Sequence, residues 1–303
     1  MSGKKKASGA IWKPPDLSGK VAVVAGASRG AGRGIALALG DCGATVYVTG
    51  RTTRNGPKPP DGVSGTIEDT AEEVMRRGGR GIPVRVDHTR EDEVARLFER
   101  VRREQDRLDV LVNAVWGGGE QFAEEDWKRD PFWELSDVGW QANMMAGPYA
   151  ILLASQHAAR LMVPRRRGLI VSITEPIFEK YDRGGPLFWM FWMLGHRGIN
   201  RISEAMAADL KKRNIATIAL APGWMRTERV MKHTSAKEKK SPRFAKSEST
   251  EYVGRAVAHL AADAKVLERA GKLLYVGDLA EEYDFPDADG RRVPNFYREL
   301  KMI

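Results

Sequence analysis

Apolar residues along this chain come in two alternating textures. Short runs rich in Val, Ile and Leu occupy 21–25, 45–49, 82–86, 110–113, 169–173, 215–220 and 273–276. Each is nearly unbroken in its hydrophobicity, as strands covered on both faces are. Between them, at 66–77, 91–105, 150–162, 199–212 and 250–262, apolar positions recur every three or four residues among charged ones. That spacing belongs to an amphipathic helix. Repetition of strand, helix and strand predicts a parallel sheet, since parallel strands need long crossovers and right-handed crossovers cover both faces. The predicted fold class is α/β: a three-layer, doubly wound parallel sheet (Rossmann fold) in a single domain.

Three stretches break this rhythm. Residues 55–65 are rich in Gly and Pro, 116–135 hold three tryptophans, and 225–249 are basic and polar. Long loops in a compact domain serve as binding loops or lids, so 225–249 is read as a lid. The boundaries predicted are a flexible basic tail at 1–16, a dinucleotide-binding domain at 17–277 that includes the lid, and a C-terminal extension at 278–303 with no clear element.

The first strand runs into Gly26-Ala27-Ser28-Arg29-Gly30-Ala31-Gly32, and helical periodicity follows from Arg33. Glycines let a backbone turn sharply and approach a pyrophosphate, while the helix behind presents free N–H groups to the phosphates. At the first strand-to-helix turn of an alternating chain, this pattern predicts a dinucleotide site. The second strand ends Thr49-Gly50-Arg51-Thr52, with no carboxylate to hold a ribose 2′-hydroxyl. Arg51, together with Arg29 in the glycine turn, suits a 2′-phosphate, so the cofactor predicted is NADP(H).

Composition narrows the remaining classes. The net charge of +9 gathers at Lys4 to Lys6, Arg165 to Arg167 and Lys237 to Lys240, which read as tail and solvated loops. No nucleic-acid partner is expected, and the excess charge suits a polyanionic cofactor. Cys42 is the single cysteine, which excludes an intrachain disulfide and a thiolate zinc site, and no metal is expected. No apolar core follows Lys6, and no run of about eighteen apolar residues occurs, so no membrane partner is expected and the location predicted is cytoplasmic.

With these residues in place, Gly26-x-x-x-Gly30-x-Gly32 resembles the glycine motif of the short-chain dehydrogenase/reductase family. Further matches follow in order from about 19 to 277. Asp87 ends the third predicted strand, where the family's Asp meets adenine, with His88 beside it. Asn113-Ala114-Val115 is similar to the family's Asn-Asn-Ala-Gly element, and Asn143 matches its active-site Asn. Pro222-Gly223-Trp224-Met225-Arg226-Thr227 resembles the Pro-Gly-x-x-x-Thr segment at the nicotinamide end. Segments 131–134, 160–164 and 271–290 resemble one narrower subgroup of the family. The resemblance implies hydride transfer between NADP(H) and a carbonyl or alcohol of a small molecule. It also implies a homodimer or homotetramer formed through the helices around Ala150 and Ile199.

The resemblance fails at the catalytic residues. The family uses a Tyr as proton donor, a Lys four residues later and a Ser that polarises the carbonyl. Aligned on the strand at 169–173 and the helix from Gly198, the Ser position holds Glu175, the Tyr position Trp192 and the Lys position His196. Ser172 and Thr174 are nearby hydroxyls. The one formal Tyr-x-x-x-Lys, Tyr297 to Lys301, lies beyond the last strand and reads as coincidence in a chain with seven tyrosines. An indole N–H cannot release its proton near neutrality, so Trp192 cannot act as the acid. Glu175, His196 and Tyr181, on the intervening loop, remain the candidates. Phe178, Tyr181, Phe188, Trp189, Phe191 and Trp192 fall close together where such folds place substrate, which suggests a large apolar or aromatic ligand. Two alternatives stay open: an NADP(H)-binding protein without hydride transfer that serves as a sensor or partner, and a non-redox lyase or isomerase using Glu175 or His196.

Overall fold

The computed structural model describes residues 11–117, 132–134, 137–176 and 190–302. Among these, seven strands pair in parallel: β1 (Val21–Ala25), β2 (Thr45–Gly50), β3 (Arg80–Arg85), β4 (Val110–Asn113), β5 (Gly168–Ile173), β6 (Ile215–Ala221) and β7 (Leu273–Tyr275). Their order is β3-β2-β1-β4-β5-β6-β7, so the direction of winding reverses between β1 and β4. Crossovers run through α1 (Gly30–Asp41), α2 (Ile67–Arg76), α3 (Glu91–Gln105), α4 (Ala150–Arg165) and α5 (Met190–Leu210).

Strand alternation sorts the core into two layers. Ala22 and Val24 pack with Ile35 and Leu39 of α1 and with Val253 and Val257 of the later helix Thr250–Ala262. Val21 and Val23 face the other way, onto Leu97 and Val101 of α3 and Leu153 of α4. Both faces are therefore dry, which explains the unbroken apolar strands. Cys42 is buried in the first layer, where desolvation pushes its thiol up to about 12, as suits a structural thiol.

Element ends differ from the sequence expectation where tertiary contacts set them. β3 begins at Arg80, paired with Thr45, and stops at Arg85, so Asp87 lies beyond the strand rather than at its end. Pairing with β2, not hydrophobicity, fixes those limits. α5 starts at Met190, well before residue 199, and Phe191 and Trp192 are helical rather than on a loop. Its first turns are apolar on every side, which hides the helical period. α4 is entered through a π-helical stretch, Gln141–Tyr149, whose backbone departs from helical values at Ala146 and Gly147 just before Pro148.

Residues 225–249 and 278–302 also carry structure. Within 225–249 lie α6 (Glu228–His233), capped by the Thr227 hydroxyl, and α7 (Pro242–Ala245), capped by Ser241. After β7 come α9 (Val276–Glu282), with α8 being Thr250–Ala262, and α10 (Phe296–Glu299). Asn295 caps α10 by accepting the N–H groups of Tyr297 and Arg298. Val276–Glu282 and Phe296–Glu299 are thus helices that the sequence pattern does not announce. Among the described residues, no helix is long and apolar enough to cross a membrane.

Candidate functional site

A cavity of about 480 Å³ opens at the C-terminal ends of the strands, beside the reversal between β1 and β4. Open α/β sheets place ligands there, because the two crossovers diverge and leave a crevice. Its wall includes Gly26, Ser28, Arg29, Gly30, Ala31, Arg51, Thr52, Asp87, His88, Ala114 and Val115 along one stretch. Thr174, Glu175, Trp192, His196, Pro222, Gly223, Trp224 and Thr227 line the other.

Three residues expected at the site are not on this wall. Gly32 packs α1 against the turn: a Cβ there would lie 2.2 Å from the Gly26 carbonyl oxygen. Asn113 is buried and its Nδ2 donates to Ser155 Oγ at 3.1 Å and Ser172 Oγ at 3.4 Å, tying β4, α4 and β5 together. Ser172 is fully buried and lies off the cavity wall, so its hydroxyl does not face the cavity. Asn143 is buried, with Nδ2 donating to the Gly139 carbonyl at 2.8 Å.

The turn itself is built for close approach. Gly26 has φ +81°, and a Cβ on it would come within 2.8 Å of the Ala114 carbonyl oxygen. Gly30 opens α1, and its N–H donates to Glu228 Oε2 at 2.8 Å. A carboxylate from the segment 225–249 therefore lies at a helix N-terminus, the place where the peptide dipoles favour an anion. Arg29 donates from Nη2 to the Gly65 carbonyl at 3.0 Å, while its buried Nε finds no partner among the described residues.

At the far end, Asp87 accepts the N–H of Thr89 at 3.0 Å and its hydroxyl at 2.7 Å. Although burial works against the charge, these bonds and the nearby Arg51 hold Asp87 below the usual carboxylate range. His88 meets Thr49 Oγ1 at 2.7 Å, and that hydroxyl donates to the Val24 carbonyl. The imidazole proton therefore sits on Nε2, leaving Nδ1 as a buried acceptor with no partner among the described residues. A glycine turn with no room for side chains, an orphaned guanidinium nitrogen and an orphaned imidazole nitrogen fit a bound dinucleotide.

The other end holds Glu175, Trp192 and His196. His196, on the second turn of α5, accepts the Glu175 N–H on Nδ1 at 3.1 Å, with Thr174 Oγ1 at 3.2 Å. An amide is always a donor, so the neutral ring keeps its proton on Nε2. Trp116 stacks on this ring at 4.4 Å and Trp192 meets it edge-on at 4.7 Å. Burial in that aromatic sleeve lowers His196 to about 3, so it is neutral under ordinary conditions. Burial acts oppositely on Glu175 and pushes its carboxyl up to about 7, with the Arg243 charge pulling the other way. Of the two, only Glu175 can exchange a proton near neutrality. Tyr181 lies outside the described residues, as do Phe178, Phe188 and Trp189.

Tyr297, the tyrosine of the formal Tyr-x-x-x-Lys pattern, does reach the cavity. It is buried, lines the wall beside Phe296, and its hydroxyl donates to the Pro222 carbonyl at 2.8 Å. That bond braces the Pro-Gly segment and makes the residue a strut. The sequence reading also passed over Trp116, Glu228, Arg243 and Phe296, all on the wall. Trp116 directly follows Asn113-Ala114-Val115 and Glu228 directly follows Thr227, so adjacency to a motif was a usable signal for those two. Nothing local marks Arg243 or Phe296.

Residues 20–238 match the short chain dehydrogenase family. Dehydrogenase/reductase SDR family member 1 of Mus musculus is 38% identical over 294 residues, covering 93% of this chain and 87% of the mouse protein. It represents the narrower subgroup that segments 131–134, 160–164 and 271–290 resemble. Among solved structures, a short chain dehydrogenase from Mycobacterium thermoresistibile superposes with TM-score 0.72 at 21% identity, covering 92% of each chain. A metagenomic short-chain oxidoreductase in complex with NADP does so with TM-score 0.63 at 24% identity, covering 86% of this chain and 97% of the other. The last two are likenesses of fold.

Proposed function

This chain belongs to the short chain dehydrogenase family, and on that premise we propose that it is an NADP(H)-dependent oxidoreductase whose proton donor is Glu175. The observation that carries the reading is the placement of Glu175. It stands on the cavity wall among Thr174, Trp192 and His196, anchored through its own N–H to the imidazole. NADPH, when bound, supplies a hydride to a substrate carbonyl. Glu175, protonated near neutrality, gives its proton to the carbonyl oxygen and later recovers one from water. His196 acts as a neutral positioning group, holding the Glu175 main chain through Nδ1 and offering Nε2–H as a donor. Burial keeps the Glu175 carboxyl protonated, and Trp116 and Trp192 enclose the His196 ring that holds its main chain. Arg29 and Arg51, with no acid after β2, support NADP(H) over NAD(H). Trp116, Trp192, Trp224 and Phe296 offer an aromatic wall for a large apolar or aromatic substrate.

The test pairs calorimetric titration of NADPH with measurement of NADPH consumption on a panel of polycyclic aromatic ketones, in wild type and Glu175→Gln. Binding in both proteins with turnover only in wild type is the result expected. Binding without consumption across the panel would favour a dinucleotide-binding protein that performs no hydride transfer. The same reading includes a homo-oligomer, supported by Leu152 on α4 and Leu194 on α5, which are exposed. Light scattering that returns a monomer mass would remove that part.

A further inference from the structure

The arginines of the lid and the C-terminal extension are matched to carboxylates with one exception. Arg226 pairs with Asp287 and Asp289, Arg229 with Asp61, and Arg291 with Asp289. Arg292 pairs with Asp284 and Arg298 with Asp278. Arg243, on α7, has no carboxylate at ion-pair distance among the described residues, yet it lines the cavity. Its guanidinium lies over the Trp224 ring, 5.2 Å from the centroid, and the neighbouring Phe244 meets the same ring edge-on at 5.5 Å. α7 is thereby fastened to Trp224 by two successive side chains. Stacking uses the face of a guanidinium and leaves its N–H edge for a planar anion.

Of the four arginines on the cavity wall, Arg29 donates to the Gly65 carbonyl and Arg229 pairs with Asp61, which leaves Arg51 and Arg243. Arg51 acts on Asp87 and His88, at the adenine end. Arg243 acts on Glu175, at the other. A cation beside the proton donor does not serve the 2′-phosphate, and a hydride-accepting carbonyl carries no charge for it to match. We propose that the substrate bears a carboxylate on an aromatic frame, and that Arg243 binds this carboxylate while the frame lies against Trp224, Trp192 and Phe296. The proposal rests on the oxidoreductase reading only in directing the reacting carbonyl toward Glu175. A carboxylate accepts two parallel N–H bonds from the guanidinium fork, and Trp224 holds that fork in place before the substrate arrives.

The test is calorimetric titration of 2-naphthoate and of its neutral isostere 2-naphthamide into the protein loaded with NADP+, in wild type, Arg243→Gln and Arg243→Lys. Wild type is expected to bind the acid about ten-fold more tightly than the amide. R243Q should lose that preference and R243K keep part of it. Equal affinity for acid and amide in wild type, or no binding of either, overturns the proposal. So does a preference that survives in R243Q, or a loss of NADP+ affinity in R243Q as large as the loss for naphthoate, which would assign the arginine to the cofactor. Binding does not require turnover. A naphthoate preference in a protein that never consumes NADPH would refute the oxidoreductase reading alone.

Discussion

Glu175→Gln is an isosteric change that removes one titratable proton, and its effect on stability can be worked out from the site. The carboxyl moves from an ordinary 4.5 to about 7 on folding. At about 1.4 kcal/mol per pH unit, this amounts to about 3 kcal/mol against the ionised form. A raised carboxyl value means that the folded protein holds the proton more tightly than the unfolded chain. The contribution is therefore fully present below about pH 4.5, falls as pH rises, and is lost above about pH 7. The glutamine variant has no such loss, so denaturant unfolding should find it more stable than wild type by up to about 3 kcal/mol near pH 8 and equal near pH 4. His196 and His88 are lowered to about 3 and about 4, and they act in the opposite sense as pH falls below about 6.5. Because both proteins share them, the difference between the two curves isolates Glu175. The same titration governs reduction: with NADPH, wild-type turnover should decline as pH rises through about 7, and the variant should lose about 10²- to 10⁴-fold. Parallel stability curves would mean an ordinary, ionised carboxylate, which cannot donate a proton at neutrality, and the proposed chemistry would fail.

Other substitutions probe the cofactor site. Arg51→Ala should weaken NADPH by about 1.5 to 3 kcal/mol and leave NADH nearly unchanged, read by calorimetry; an equal effect on both would refute the 2′-phosphate assignment. Gly26→Ala forces a methyl to within 2.8 Å of the Ala114 carbonyl oxygen at φ +81°, so NADPH binding should be abolished or the fold destabilised, and full retention of both would contradict the geometry of the turn. Glu228→Gln removes a negative charge that sits on the Gly30 N–H, and NADPH should bind several-fold more tightly because a neutral amide neither repels nor rivals the pyrophosphate as strongly; weaker binding would show that the carboxylate supports the cofactor. Restoring Trp192→Tyr with His196→Lys should raise turnover of simple ketones above wild type if the register through α5 is right.

The sequence alone determined the α/β alternation, the glycine turn after β1 and the missing acid after β2, and it led to the expectation that Glu175, Trp192 and His196 stand at the family's catalytic positions. Each of these depends on neighbours a few residues apart: side chains alternate along a strand, recur along a helix, and glycines free a turn where they stand. Which candidate suits the proposed role of proton donor was not legible in this way. His196 and Glu175 are both titratable, and burial shifts them in opposite directions, His196 against the ring of Trp116, brought from beyond the end of β4. Desolvation depends on what surrounds a group in space, and no local pattern encodes it. The same limit applies to Tyr297, whose tail position suggested nothing until α10 folded it against Pro222. It also applies to Glu228 and Arg243, whose charges acquire meaning only when the fold places one on the α1 N-terminus and the other over Trp224.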